Sequence, residues 1–358
     1  MSRKRILVAP LDWGLGHATR CIPVIRELQK QNAEVIIGSN GKPLKILQQE
    51  FPELESCVID GYDIKYRRSG SFATAIIPQI PKLINSGFAE HKKLKQLVKD
   101  LKLNGVISDN RFGLFNYNVP CVFMTHQVGI IMPDIFKWAE KQVYRLNYRI
   151  MNKYDCCWIP DYAGDDNLSG ILSHKYSLPK QTTFIGPLSR FKKLDGFEIK
   201  NDLLVILSGP EPQRSVLEEK LLQQMREMKL KILIVRGTPG NENELITPDH
   251  INSVSHLNAV ELNKAMMESK YIVSRSGYST IMDLAATGKK AMLIPTPGQT
   301  EQEYLGENFH AKKFFYSVPQ SSFNLRNALS EIENFSGLPV KDSDNQFEGA
   351  VKNFLEKC

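Results

Sequence analysis

The sequence predicts an α/β protein built from two successive parallel-sheet units facing each other across a central cleft. Three observations carry this. Short apolar runs alternate with amphipathic helical segments along the chain. The alternation restarts near residue 203. And 358 residues, 42% of them hydrophobic, suffice for two cores.

In the first half, Arg5–Ala9 reads as a buried strand, followed by a glycine-bearing loop and a helix over 18–30. Cys21, Val24, Ile25 and Leu28 fall at i, i+3, i+4 and i+7, the mark of a core-facing helix. Further strands are expected at 34–37, 105–108, 121–125 and 156–159, with helices around 89–102 and 134–152. This βαβα order argues for a parallel sheet covered on both faces. In the second half, strands are expected at 203–207, 231–235, 271–274 and 291–294. A helix at 213–228 should bury Leu217, Leu221, Met225 and Met228. Gly186-Pro187 and Gly196, among alternating charges, mark 186–201 as the linker, which divides the chain into units of 1–187 and 188–339.

Composition narrows the function. The six cysteines show no CxxC and no metal-ligand spacing, and read as reduced thiols of a cytoplasmic protein. The N-terminal apolar run is too short for a signal peptide, and no stretch is long enough to span a bilayer. Residues 1–190 hold 26 Lys and Arg against 17 Asp and Glu, whereas 191–358 hold 20 against 22. The first half is therefore expected to meet something anionic. No nucleic-acid motif accompanies the charge; an anionic membrane surface or a phosphorylated acceptor is compatible with it.

Ligands of open α/β sheets bind beyond the carboxyl ends of the strands, so the loops there were read for chemistry. Asp12-Trp13-Gly14-Leu15-Gly16-His17 joins the first strand to the first helix. Gly14 and Gly16 allow close backbone approach, and the helix start favours phosphate. A dinucleotide fingerprint fails twice: Thr19 stands at the third glycine position, and strand two ends in Gly38-Ser39 without a ribose-binding acid. His17, at the helix start, is the candidate general base, since the positive helix end favours neutral imidazole. Asp109 ends another strand on the same edge and could fix the tautomer of His17; the competing role for Asp109 is helix capping. His126, just past a third strand, is a rival base or an acceptor contact.

The most informative stretch runs from Ser274 to Tyr304. A strand ends in Arg275-Ser276-Gly277, a helix opens with Ser279 and Thr280, Asp283 lies one turn in, and Gly288 ends the helix. Backbone N–H groups and the two hydroxyls suit a diphosphate, and Asp283 suits two ribose hydroxyls. Gln302 and Glu303 follow the next strand and suit a polyhydroxylated ring.

This stretch is similar to the donor signature of the GT-B glycosyltransferases of family 28, which include N-acetylglucosaminyltransferases: a Ser-Arg-x-Gly turn, a Thr, an acid three residues on, a helix-ending Gly, then Pro, Gln and Tyr. The Gly14–His17 loop resembles the family's N-terminal glycine-rich loop. The motifs cover about a tenth of the chain. The resemblance implies two Rossmann-like domains, the first binding acceptor and the second a UDP-sugar, and inverting transfer with no metal and no cofactor beyond the nucleotide-sugar. It places Ser208 and Gly209 near the diphosphate, Leu257 near the uracil, Thr280 on phosphate, Asp283 on ribose and Gln302 on the sugar. It also returns a C-terminal helix, about 340–358, to the first domain. Two departures bear on the donor: Asp283 stands for a Glu, and Tyr278 for a small residue.

On the acceptor side, Lys137, Lys141, Arg145 and Arg149 recur every four residues beside Trp138, Tyr144 and Tyr148. That ladder could rest on anionic lipid, hold an acceptor phosphate, or be a solvated face. Lys92–Lys102 and the apolar 75–84 segment would extend a peripheral membrane contact, and the family's acceptor is a lipid-linked sugar. Asp342-Ser-Asp344 mimics a metal-binding triplet but reads as a solvated loop. A UDP-sugar 2-epimerase, or a non-catalytic nucleotide-sugar binder indifferent to His17, are the alternatives.

Overall fold

The computed structural model describes residues 3–61, 79–238, 247–341 and 345–358, which form two compact α/β units. Parts of the apolar 75–84 segment and Asp342–Asp344 lie outside the described residues.

The first unit holds β1 (Arg5–Pro10), α1 (Leu15–Lys30), β2 (Glu34–Ser39), α2 (Gly41–Glu50), β3 (Glu55–Val58), α3 (Ile80–Asp100), β4 (Gly105–Asp109), β5 (Cys121–Met124), a 3-10 helix (Asp134–Ala139), α4 (Glu140–Met151), β6 (Cys156–Ile159), α5 (Ile171–His174) and β7 (Thr182–Phe184). Its sheet runs β3-β2-β1-β4-β5-β6-β7, and every pairing among the described residues is parallel. The strands are short apolar runs because both sheet faces are covered: Ile6, Leu7, Val8, Val106 and Ile107 are fully buried.

Three boundaries differ from the sequence reading. The helix expected around 89–102 begins at Ile80. Helix α1 starts at Leu15, three residues early, because Gly14 (φ 82°) takes the turn, and it continues through Pro23. Gly16 and His17 therefore lie in its first turn. The 134–152 segment is not one helix. It begins as a 3-10 turn after extended Pro133 and becomes α-helical at Glu140, whose carboxylate is tied to Lys175 (2.5 Å) and Tyr176 (2.7 Å).

The second unit holds β8 (Asn201–Ile206), α6 (Gln213–Met225), β9 (Ile232–Val235), β10 (Ile251–Val254), α7 (Ala259–Met267), β11 (Ser269–Ser274), α8 (Tyr278–Thr287), β12 (Ala291–Leu293), α9 (Thr300–Ala311), β13 (Tyr316–Ser317) and α10 (Leu325–Glu331). Its sheet is parallel in the order β10-β9-β8-β11-β12-β13. Leu217, Leu221 and Met225 are buried as the periodicity predicts; Met228 lies past the helix end and is half-buried. Helix α8 ends on Gly288 in the left-handed conformation.

The chain then returns to the first unit with α11 (Gln346–Lys357). Phe347 and Phe354 meet Trp158 edge-on, and Glu348 pairs with Lys30 at 3.0 Å. The fit is close: a methyl group on Gly105 would lie 2.6 Å from both Phe354 and the Cys358 sulfur.

Each sheet reverses its order once. In the first the reversal falls between β1 and β4, paired through Pro10 and Asp109; in the second it falls between β8 and β11, paired through Ile206 and Ser274. Loops leave such a junction in opposite directions and open a crevice.

Candidate functional site

At the first junction, helix α1 presents His17 to the end of β4. Nδ1 of His17 lies 3.1 Å from Oδ2 of Asp109. Asp109 is fully buried, while the His17 side chain keeps 15% of its surface exposed. The carboxylate is not a helix cap. Both its oxygens are used by Arg20, whose Nε lies 3.0 and 2.8 Å from them and whose Nη2 also donates to Oδ1. Burial opposes ionisation of Asp109, but the Arg20 guanidinium and then His17 outweigh it and hold the carboxyl down to about 2. The pair expected from topology is thus present, with an arginine added.

His126 stands behind this pair. It is 5% exposed, and Arg20 donates to its Nδ1 at 2.8 Å. With one ring nitrogen committed to a guanidinium, His126 is a buried partner of Arg20, whereas the sequence reading makes it a rival base or an acceptor contact. Gly14 caps α1 without any side-chain acceptor, so the helix start is open to a ligand.

At the second junction, Ser208 and exposed Gly209 (φ 105°) form the turn after β8, beside the Arg275–Gly277 turn after β11. No side chain caps α8, whose N-cap is Gly277. Ser279, Thr280 and Asp283 are half-buried and lie on one side of α8, at i, i+1 and i+4. Leu257 is half-buried in the loop after β10, on the same strand-end edge. The turn is laced to the start of α9: Ser276 Oγ donates to the Gln302 carbonyl (2.7 Å), and Gln302 Oε1 accepts from the Thr296 N–H (2.9 Å). Gln302 is therefore left to present its amide nitrogen, which would be 3.9 Å from a methyl group on Gly277. Glu303 Oε1 accepts from the Gly298 N–H at 2.8 Å, which braces the loop before α9.

Three residues of this stretch depart from the sequence reading. Arg275 points inward, 1% exposed, and donates to the carbonyls of Ile294, Pro295 and Gln213 and to the Gln320 side chain. It braces the turn from behind rather than facing a ligand; a large cation can be spent this way because carbonyl groups surround it. Burial also lowers its pKa to about 10. Ser276, fully buried, is likewise a brace. Tyr278 is 2% exposed and packs into the core, so its bulk does not stand at the helix start.

Arg20 is the residue of this cluster that the sequence reading missed. His17, Arg20, Cys21 and Val24 fall at i, i+3, i+4 and i+7, so an arginine on the stripe shared by His17 and the core was the available signal.

Two parallel α/β units, each with its candidate residues at the sheet reversal, make up a GT-B fold, and comparison with known proteins identifies a sugar transferase. Residues 211–357 match the glycosyltransferase family 28 C-terminal domain. A glycosyltransferase of Methanosarcina mazei is 22% identical over 345 residues, covering 88% of this chain and 86% of that protein. The Listeria welshimeri UDP-N-acetylglucosamine--N-acetylmuramyl-(pentapeptide) pyrophosphoryl-undecaprenol N-acetylglucosamine transferase is 24% identical over 294 residues, covering 79% and 76%. Among solved structures, the calicheamicin glycosyltransferase CalG4 aligns with a TM-score of 0.60 at 12% identity over 100% of this chain and 94% of that one. MurG of Acinetobacter baumannii aligns with a TM-score of 0.53 at 15% identity over 99% and 100%. The chain is a GT-B glycosyltransferase carrying a family 28 C-terminal domain.

Proposed function

We propose that this transferase moves a sugar from a UDP-sugar, with UDP-N-acetylglucosamine the first candidate, to a hydroxyl acceptor with inversion at the anomeric carbon. The observation that carries the reading is the contact between His17 and Asp109 at the first sheet reversal. Nε2 of His17 takes the acceptor proton, and Asp109 holds the imidazole through Nδ1 and stabilises the imidazolium that forms. The acceptor oxygen bonds to the anomeric carbon as the bond to the diphosphate breaks, and the electron pair leaves with UDP. N–H groups at the start of α8 and the Ser279 and Thr280 hydroxyls take up that charge, so the reading needs no metal. Asp283 holds the ribose, and Gln302 offers its amide to the sugar. The donor named in the Listeria relative supports the choice of UDP-N-acetylglucosamine.

The same reading gives the first unit a peripheral contact with an anionic membrane that carries a lipid-linked acceptor. Lys137, Lys141, Arg145 and Arg149 are exposed, together with Ile135 (64%), Trp138 (73%) and Leu146 (55%). Cations beside exposed apolar side chains suit an anionic bilayer surface. Among the described residues, no helix is long and apolar enough to cross a membrane.

Calorimetric titration of UDP, UDP-N-acetylglucosamine and NADH into wild type and Asp283→Ala tests the donor. Selective UDP binding, weakened in the variant, is expected. Absence of UDP binding by folded protein would remove the donor assignment.

A further inference from the structure

Arg20 has no part in the reaction above, yet it is the side chain that joins its polar groups. It is 2% exposed and reaches three of them: both oxygens of Asp109, Nδ1 of His126 at 2.8 Å, and Nδ1 of His17 at 2.9 Å. A guanidinium only donates, so Nδ1 of His126 accepts and that ring carries its hydrogen on Nε2.

Nδ1 of His17 faces two neighbours with opposite requirements. Asp109 Oδ2 at 3.1 Å accepts a hydrogen from it; Arg20 Nη2 at 2.9 Å donates one to it. With the hydrogen on Nδ1, that nitrogen donates to Asp109 and Nε2 is left as the base, while Nη2 keeps its bond to Oδ1. With the hydrogen on Nε2, Nδ1 accepts from Arg20 and the ring cannot take a proton from an acceptor. The arginine thus bears on which ring nitrogen is free.

It bears on charge as well. An imidazole beside a lone buried carboxylate is drawn toward imidazolium, which cannot act as a base. Here the carboxylate is matched by a buried guanidinium that also reaches Nδ1 of His17, and a cation there opposes that draw. The groups facing His17 are Asp109 at the end of β4, Arg20 on its own helix and, through Arg20, His126 after β5. The Cys21 thiol, 3.7 Å from Asp109 Oδ2, adds no charge, because burial and then Asp109 push its pKa well up.

We propose that Arg20 is a positioning residue that cancels the charge of Asp109 toward His17 and so keeps His17 an uncharged proton acceptor at neutral pH. This rests on His17 being the base. Arg20 touches neither substrate nor reacting atoms; it acts on His17 directly and through Asp109.

The test is 15N NMR of the imidazole rings in the full-length chain, with the His17 signals identified by their loss in His17→Gln. The chain has seven histidines, so the spectrum is tractable. In Arg20→Gln the titration midpoint of His17 should rise by about one pH unit or more. In Arg20→Lys, which keeps the charge, it should stay near wild type. In Asp109→Asn, which leaves the guanidinium unmatched, it should fall. An Arg20 that is only structural would leave the midpoint in place, and an unchanged midpoint in folded Arg20→Gln overturns the proposal. If Arg20→Gln does not fold, Asp109→Asn decides: with the guanidinium unmatched the midpoint should drop below the ordinary imidazole value of about 6.5, and a midpoint at or above that value overturns the proposal equally. The measurement needs no donor or acceptor. Retained transfer by His17→Ala would remove the base reading while leaving the titrations readable, so the two failures are distinguishable.

Discussion

Asp109 holds Arg20 through both carboxylate oxygens, with Nε 3.0 Å from Oδ1 and 2.8 Å from Oδ2. Both residues are buried, so neither charge is compensated by water once the other is removed. The stability of the first unit and the chemistry at its sheet reversal therefore share one ion pair.

The first consequence is a pH dependence of stability. Asp109 titrates at about 2 in the folded chain, below the ordinary carboxyl value of about 4 in the unfolded one. Its contribution is thus present above about pH 4 and is lost as pH falls toward 2, with a size of about 2 kcal/mol. Urea unfolding of wild type and Asp109→Asn should show the gap between them shrinking by about that much from pH 6 to pH 2. A gap independent of pH would mean that the carboxylate is not held ionised.

His17→Ala should lower the transfer rate by about 10²- to 10⁴-fold, the range of a lost general base. UDP affinity should stay within about twofold, because His17 is on the first unit and the candidate UDP contacts are on the second. Parallel losses of rate and UDP affinity would assign His17 to donor binding instead.

Asp283→Ala should weaken UDP by about 10- to 100-fold, the value of hydrogen bonds from a charged acceptor. Asp283→Asn should lose less, since its amide still offers one oxygen. Uridine, compared with uracil, would show whether the loss lies at the ribose.

Arg275→Met should act on stability rather than on ligand. It strands three carbonyls and the Gln320 side chain in the interior, so unfolding should become easier by about 3 kcal/mol or more. Fluorescence-monitored urea unfolding measures this. A variant of normal stability that had lost only UDP binding would return Arg275 to the ligand surface.

Exchanging Lys137, Lys141 and Arg145 for Glu should reduce sedimentation with anionic vesicles by more than 10-fold, at about 1 kcal/mol per cation near the surface. Neutral vesicles should show little change. Equal binding of wild type and variant to anionic vesicles would leave the basic face as a solvated one.

Much of this site was legible because topology does the placing. A residue just past a strand of a parallel sheet lies on one known edge, so the sequence alone pairs His17 with Asp109. The donor stretch was legible as an order of residue types. What sequence could not give was direction. Arg275 sits among ligand-like residues, and only the carbonyls closing around it show that it points inward. Arg20 lay hidden in an apolar stripe because a charged residue there is ordinarily read as the solvent side of a helix. The 134–152 segment kept a helical period through its first turn, yet the chain entering from Pro133 winds there as a 3-10 turn.

Helix α11 gives the order of assembly during synthesis. The first sheet is made early, but Gly105 and Trp158 wait for Phe354, which the ribosome adds some two hundred residues after Trp158. The second sheet, drawn from residues 201–317, is complete in the chain before α11 is made and can close first. Until α11 is made, the nascent first unit lacks the cover that Phe354 gives Gly105 and Trp158.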